Sequence, residues 1–242
     1  MDNKDFVYGF YAVTEALEAN RGNKLFVLET LRGEKVEKIK ELAREFNVPV
    51  KWVDKAKLNL LSDDGVHQGF VLAVNPYAYS TLDEILEIVA SKDQATILLL
   101  DEIEDPHNLG SILRTADASG VDGIIIPKNR AVGVTSVAAK TSTGASEYMK
   151  IARVTNIAQT IKKLKDVGFW VFGTDMNGTP YDKWNASGKV ALIIGNEGRG
   201  MSPGLKKEVD ELVTIPMVGH VQSLNASVAA GILMYEIFRK RS

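Results

Sequence analysis

Apolar and polar positions divide the chain into two stretches of α/β alternation. Between residues 6 and 74 the apolar runs "KLFVLETL", "VPVKWV" and "QGFVLAV" read as strands. They flank "GEKVEKIKELAREFN", in which Val36, Ile39, Leu42, Ala43 and Phe46 fall on one helical face. This predicts a small α/β unit over residues 1–74. A linker follows at 75–80, "NPYAYS", where Asn-Pro disfavours helix. Ser80 stands ready to cap "TLDEILEIVAS" in a Ser-x-x-Asp capping box, which opens a second domain over residues 81–242.

In that second stretch the strands are continuous apolar runs: "ATILLLDEI", "DGIIIP", "FWVFGT", "VALIIGNE" and "ELVTIP". Helical patterns separate them, among them "NLGSILRTADAS" and "NIAQTIKKLKDV". Strands without polar alternation, with helices between them, predict a mostly parallel sheet covered on both faces. Ligands of such sheets bind beyond the carboxyl ends of the strands, so the loops after those strands are where chemistry is expected.

Composition narrows the chemistry. Across 242 residues the net charge is −2, so a polyanionic partner would need a local basic patch. The absence of cysteine excludes disulfides, thiolate zinc sites, iron–sulfur ligation and sulfur nucleophiles. His67, His107 and His220 are scattered, which argues against a histidine metal site, and no metal is expected. The start "MDNKDF" has no signal-peptide character and no apolar run is long enough to span a membrane, so a cytoplasmic protein is expected.

Three post-strand loops share an unusual character. In "DEIEDPHNLGSILRTADASG", Pro106 stops the strand and His107 or Asn108 opens a helix with Leu109, Ile112, Leu113 and Ala116 inward. Gly110 and Arg114 then share another face, and Arg114 leans back over Gly110 toward the helix mouth, where an anion would sit. A solvated surface arginine is the plainer reading of the same residue. The second loop, "LIIGNEGRGMS", carries three glycines and a carboxylate. Its spacing fits neither a phosphate-binding Walker loop nor a dinucleotide fingerprint, and a tight strand-to-helix turn is the structural alternative. The third, "IPMVGHVQSLNASVAAGI", begins a helix with small residues, which permits close approach of backbone or ligand; Ser223 or Asn225 can cap it.

Together these three motifs, in this order, resemble the signature motifs of the SpoU/TrmH family of RNA ribose 2′-O-methyltransferases. The resemblance covers residues 81–242, with Ala226 standing where the family's third motif has valine. "YGFYAVTEAL" and "HQGFVLAV" make the front part similar to the RNA-binding domain of the RlmB-type subgroup, which acts on guanosine in 23S ribosomal RNA. The resemblance implies an α/β fold with a trefoil-knotted parallel sheet, S-adenosylmethionine as cofactor, a homodimer and ribosomal RNA as partner. It places cofactor contacts at Gly195, Ile215 and Leu224, with Thr174 and Met217 as neighbours, and catalytic work at Arg114, Asn108, Glu197, Ser223 and Asn225.

A guanidinium holds its proton at neutral pH, so Arg114 suits stabilising an alkoxide or clamping a phosphate better than abstracting a proton. Asn108 is expected to orient Arg114 or the ribose, Glu197 to pair with an arginine, and Ser223 and Asn225 to position cofactor and acceptor. The front unit holds 11 Lys and Arg against 12 Asp and Glu, so RNA binding there needs a focused patch, for which Lys35, Lys38, Lys51, Lys55 and Lys57 are candidates. The rival readings are the same reaction on tRNA, a non-catalytic RNA-binding assembly factor, and a nucleotide-dependent dehydrogenase. The last of these lacks the fingerprint.

Overall fold

The computed structural model describes residues 5–75, 77–196, 198–221 and 223–241. Two compact units emerge, one of residues 1–78 with 134–148, the other of 79–133 with 149–242.

The first unit begins β1 (Asp5–Tyr8), α1 (Phe10–Glu18), β2 (Gly22–Leu28), α2 (Glu34–Glu45), β3 (Val50–Val53), α3 (Lys55–Leu61) and β4 (Phe70–Val74). Its four strands lie in the order β1-β4-β2-β3, with β4 antiparallel to both neighbours and β2 parallel to β3. Strand periodicity sorts β4 between two cores. Phe70, Leu72 and Val74 pack with Leu17 of α1 and Ile39 and Ala43 of α2, whereas Val71 packs with Leu58 of α3. The strand is therefore buried throughout.

The second unit runs α4 (Leu82–Ala90), β5 (Ala95–Leu100), α5 (Pro106–Ala118) and β6 (Gly123–Pro127). Two short helices, α6 (Ser136–Thr141) and α7 (Ala145–Tyr148), intervene. The unit then resumes with β7 (Ile151–Val154), α8 (Ile157–Asp166), β8 (Trp170–Pro180), β9 (Lys189–Ile194), α9 (Pro203–Lys206), β10 (Glu211–Thr214) and α10 (Ala226–Arg241). All six strands are parallel, in the order β10-β8-β9-β5-β6-β7. Ile97, Leu99 and Ile193 pack with α4, α8 and α9, while the alternate residues Leu98, Leu100 and Leu192 are equally buried. That explains the continuous apolar runs. Because every strand points the same way, the loops after β5, β9 and β10 share one edge.

Two details differ from the sequence reading. The capping box of α4 uses Thr81 and Glu84, not Ser80 and Asp83. Glu84 N–H donates to Thr81 Oγ1 at 3.2 Å and Thr81 N–H donates to Glu84 Oε2 at 2.6 Å. Ser80 instead donates its N–H to Ile151 O at 2.9 Å, which leaves its neighbour to start the helix.

The second difference is the segment 134–148, which the sequence division leaves in the rear domain and which groups with the first unit. There α6 packs on β1, Tyr77 Oη donates to Ser146 O at 2.9 Å, and Tyr148 Oη donates to Glu15 Oε2 at 2.9 Å. An ion pair joins Arg21 to Glu147, whose side chain is only 5% exposed. Burial pushes the Glu147 carboxyl up and Arg21 pulls it back down. Arg21→Ala should therefore cost about 3–5 kcal/mol, the usual penalty for orphaning a buried charge. With the upward push unopposed, that cost is full above the raised pKa and shrinks as pH falls through it and Glu147 takes up a proton. Urea denaturation of wild type and variant at several pH values checks both the size and the trend; a cost that grows on acidification would contradict it.

Candidate functional site

The loop after β9 is held by its own backbone. Asn196 N–H donates to Gly200 O at 3.1 Å and Gly200 N–H returns to Asn196 O at 2.8 Å. The Asn196 side chain accepts from Gly198 N–H at 3.0 Å and Arg199 N–H at 3.2 Å, and its amide donates to Glu102 O at 2.9 Å. The loops after β9 and β5 are thus tied together. Buried Asp101 adds a second tie by accepting from Ser202 N–H at 2.8 Å.

The three glycines of this loop separate by role. A Cβ on Gly195 would lie 2.4 Å from Gly200 C and Met201 N, so main chain occupies that space. Gly200 has φ +65°, the left-handed region, and Gly198 meets only Asn196 Oδ1 at 3.7 Å. Thr174 sits beneath the turn: its Oγ1 donates to Ile193 O at 3.2 Å and accepts from Gly195 N–H at 3.4 Å. Beyond Thr174 the pairing of β8 with β10 jumps from Gly173↔Leu212 to Thr179↔Val213, so 174–178 bulges at the same edge.

The helix α5 begins at Pro106, capped by Asp105, which accepts from His107 N–H at 2.8 Å; the sequence reading placed that start at His107 or Asn108. Proline at the first helical position needs no N–H partner, so the break after β5 and the start of the helix coincide. Leu109, Ile112, Leu113 and Ala116 are fully buried, as the pattern predicts. Gly110 is buried as well, while Arg114 is exposed and its side chain has no ion pair or hydrogen bond among the described residues. Arg199 and Arg130, which the sequence reading did not single out, pair instead with Glu102, each at 3.5 Å. No spacing in the sequence signals these long-range pairs.

Asn225 joins the first and third motifs. Its Nδ2 donates to Asn108 Oδ1 at 2.9 Å. Its Oδ1 accepts from Ser227 N–H at 2.9 Å and Ser227 Oγ at 2.6 Å, which caps α10. Behind this cap Ala226 and Ala230 are buried and α10 packs along α5. A Cβ on Gly231 would meet only Thr115 Cγ2 at 3.7 Å, an ordinary contact, so close approach is demanded at Ala230 rather than at Gly231. Ser223 is exposed. Glu197 lies outside the described residues.

Asn225→Asp retains a cap acceptor but replaces the donor to Asn108 with a second oxygen. Helix content should hold while the side-chain bond between the two motifs is lost and two oxygens face each other, with activity falling by about tenfold. Circular dichroism together with a methyl-transfer assay checks this; equal activity would mean that the Asn108–Asn225 bond is incidental.

The remaining stretch, 215–221 with Ser223 and Leu224, is irregular, and among the described residues its main-chain groups make no hydrogen bond. Ile215 and Leu224 are half-buried beside it and Met217 is exposed. Unused main-chain donors and acceptors next to apolar side chains suit a purine, whose edge needs hydrogen bonds and whose faces need apolar cover. Among the described residues no cluster of three or more His, Asp or Glu side chains could hold a metal.

This arrangement has relatives. A model of the SpoU rRNA Methylase family matches residues 95–235, and a model described as RNA 2′-O ribose methyltransferase substrate binding matches residues 6–80. The chain belongs to the SpoU rRNA methylase family. A Staphylococcus saprophyticus protein named as a TrmH family tRNA/rRNA methyltransferase is 47% identical over 239 residues, covering 98% of this chain and 96% of that one. Among solved structures, an rRNA methyltransferase from Sinorhizobium meliloti with AdoMet bound superposes with a TM-score of 0.83 at 27% identity, covering 98% of this chain and 87% of the other. The SpoU methyltransferase AviRb from Streptomyces viridochromogenes, in complex with the cofactor AdoMet, gives 0.84 at 25% identity, with coverage of 98% and 90%. This SpoU protein is thus an RNA methyltransferase with an α/β parallel-sheet unit and an amino-terminal substrate-binding domain.

Proposed function

We propose that this SpoU protein is a cytoplasmic homodimer that methylates the ribose 2′-hydroxyl of a guanosine in large-subunit (23S) ribosomal RNA, using S-adenosylmethionine. The observation that carries the reading is the Asn225–Asn108 bond, which sets an unpaired arginine helix beside a loop of unused main-chain groups. S-adenosylmethionine, when bound, supplies a methyl group already activated as a sulfonium. Gly195, Ile215 and Leu224 hold it through main-chain groups, and Thr174 and Met217 border it. The residues' own task is alignment of the acceptor and charge control.

Arg114 clamps the RNA phosphate beside the acceptor and stabilises negative charge developing on the 2′-oxygen. Its exposure and lack of a carboxylate partner among the described residues support that role, since a paired guanidinium would already be neutralised. Asn108 and Asn225 orient the acceptor, Ser223 lies close enough in the chain to assist, and Glu197 pairs with an arginine. The loops after β9 and β10 belong to the carboxyl-terminal trefoil knot that the family resemblance implies. For the dimer, Val228, Tyr235 and Phe238 expose an apolar stripe along α10, with the Tyr235 and Phe238 rings 6.1 Å apart.

The front unit and the rRNA methyltransferase that superposes along nearly the whole chain support ribosomal RNA over tRNA. Mapping 2′-O-methyl positions in all RNA from cells with and without the gene tests this. One guanosine of the large-subunit RNA should lose its mark; loss confined to tRNA would overturn the choice of substrate.

A further inference from the structure

We propose that the cavity at the beginning of α2 receives one unstacked nucleotide of the RNA substrate. Its base would lie against the apolar floor and its phosphate between Arg32 and Lys35. The inference rests on the front unit being the RNA-binding unit, and it names where on that unit a base is held.

The cavity encloses about 560 Å³, inside the ~300–1,000 Å³ range of small-molecule sites. Phe10 and Phe70 form the floor with ring centroids 6.0 Å apart, and Leu31 closes one side. Arg32, Lys35 and Gln68 stand exposed around it. Arg32 is fixed from below, its Nη1 donating to Glu29 O at 2.6 Å and Leu31 O at 2.7 Å, and its guanidinium lies 6.0 Å from the exposed Trp52 ring. Lys35 Nζ lies 5.1 Å from the Phe10 ring centroid. Neither cation has an acidic partner among the described residues, although Glu34 also lines the cavity. Gln68 adopts φ +54°, uncommon for a residue other than glycine; its Oε1 accepts from Phe10 N–H at 3.1 Å, which leaves its amide N–H groups as donors at the rim.

A base needs apolar contact for its face and donors for its edge, while its phosphate needs cations; here Leu31 and the part of Phe10 that stays accessible supply the first, Gln68 the second, and Arg32 and Lys35 the third. A duplex presents neither face nor edge to such a cavity, so the occupant is unpaired. The net charge of the front unit explains why location matters. With acids and bases nearly balanced, diffuse attraction cannot hold RNA, and the unneutralised pair at Arg32 and Lys35 supplies a focused patch. Lys35 was a sequence candidate. Lys38, Lys51, Lys55 and Lys57 are exposed but do not line the cavity.

The test uses the full chain and a fluorescein-labelled single-stranded RNA decamer containing all four bases, alone or annealed to its complement, followed by anisotropy. Variants are R32A/K35A, W52F and, as a control, K51A/K55A/K57A. The single strand should bind at least about tenfold tighter than the duplex and quench the front-unit tryptophan in wild type but not in W52F. R32A/K35A should weaken binding by about tenfold and lower the slope of log affinity against log salt by about 0.7, the share of the one phosphate held between the two cations. Its affinity for S-adenosylmethionine and the circular-dichroism melting of the full chain should stay unchanged, the melting curve showing that the front unit remains folded. Binding of R32A/K35A within about twofold of wild type overturns the proposal, as does equal affinity for duplex. If only the control variant loses RNA, the cavity assignment fails while the RNA-binding reading of the front unit stands; if no front-unit variant matters, both fail. Displacement of the RNA by an equimolar polyglutamate peptide would mean that charge alone is recognised, and would also overturn it.

Discussion

Arg114→Ala abolishes nearly all methyl transfer, by about 10²–10³-fold, the range for removing a donor aimed at developing negative charge. Cofactor affinity should stay within about twofold, because the role proposed for the guanidinium is at the acceptor and not in the loops after β9 and β10. Arg114 is exposed and carries no structural partner among the described residues, so its loss leaves the fold intact. Arg114→Lys retains the charge but not the planar fork, and restores little. Single-turnover methyl transfer with calorimetric binding of S-adenosylmethionine separates these effects. A lysine variant close to wild type would show that a point charge suffices and that no phosphate is clamped bidentately.

Gly195→Ala produces the other large effect, and for a different reason. The added methyl must displace the main chain of Gly200 and Met201, which the Asn196–Gly200 backbone bonds hold in place. Overpacking of this kind costs about 1–3 kcal/mol when side chains can yield and more when backbone cannot. Opening the turn also frees Gly195 N–H from Thr174 and disturbs the tie to Glu102. Affinity for S-adenosylmethionine should fall by at least about tenfold, together with a lower melting temperature. Gly204→Ala, where nothing lies within 4 Å of the new Cβ, is the control and should be neutral. Normal cofactor binding by the Gly195 variant would remove this loop from the site.

Much of the fold was legible because parallel strands covered on both faces leave continuous apolar runs; β5, β6, β8, β9 and β10 all lie where such runs occur. The four-residue strands β1 and β7 are too short to establish a period. That the segment 134–148 groups by contact with the first unit has a related cause: Ala138, Ala139 and Ala145 bury little area each, and what fastens it there are pairs distant in sequence, Arg21 with Glu147 and Glu15 with Tyr148. The cap of α4 falls one residue later than expected because Ser80 and Thr81 offer equivalent hydroxyl oxygens, and α5 starts earlier because Asp105 caps it ahead of Pro106.

In the candidate site, residue types pointed to the post-strand loops but not to the division of labour within them. That Gly195 answers to a backbone contact and Gly200 to a positive φ, or that Ala230 rather than Gly231 meets the tight packing, follows from geometry that no spacing encodes. Asn196 was passed over among conspicuous glycines, although it connects the loops after β9 and β5.

The transferred methyl group should sit on a ribose 2′-oxygen. Full-length protein incubated with isotopically labelled S-adenosylmethionine and large-subunit ribosomal RNA, followed by digestion to nucleosides and mass spectrometry, locates it directly. Label is expected on ribose, as 2′-O-methylguanosine, and none after Arg114→Ala. Label on a base, or transfer that survives loss of Arg114, would contradict it.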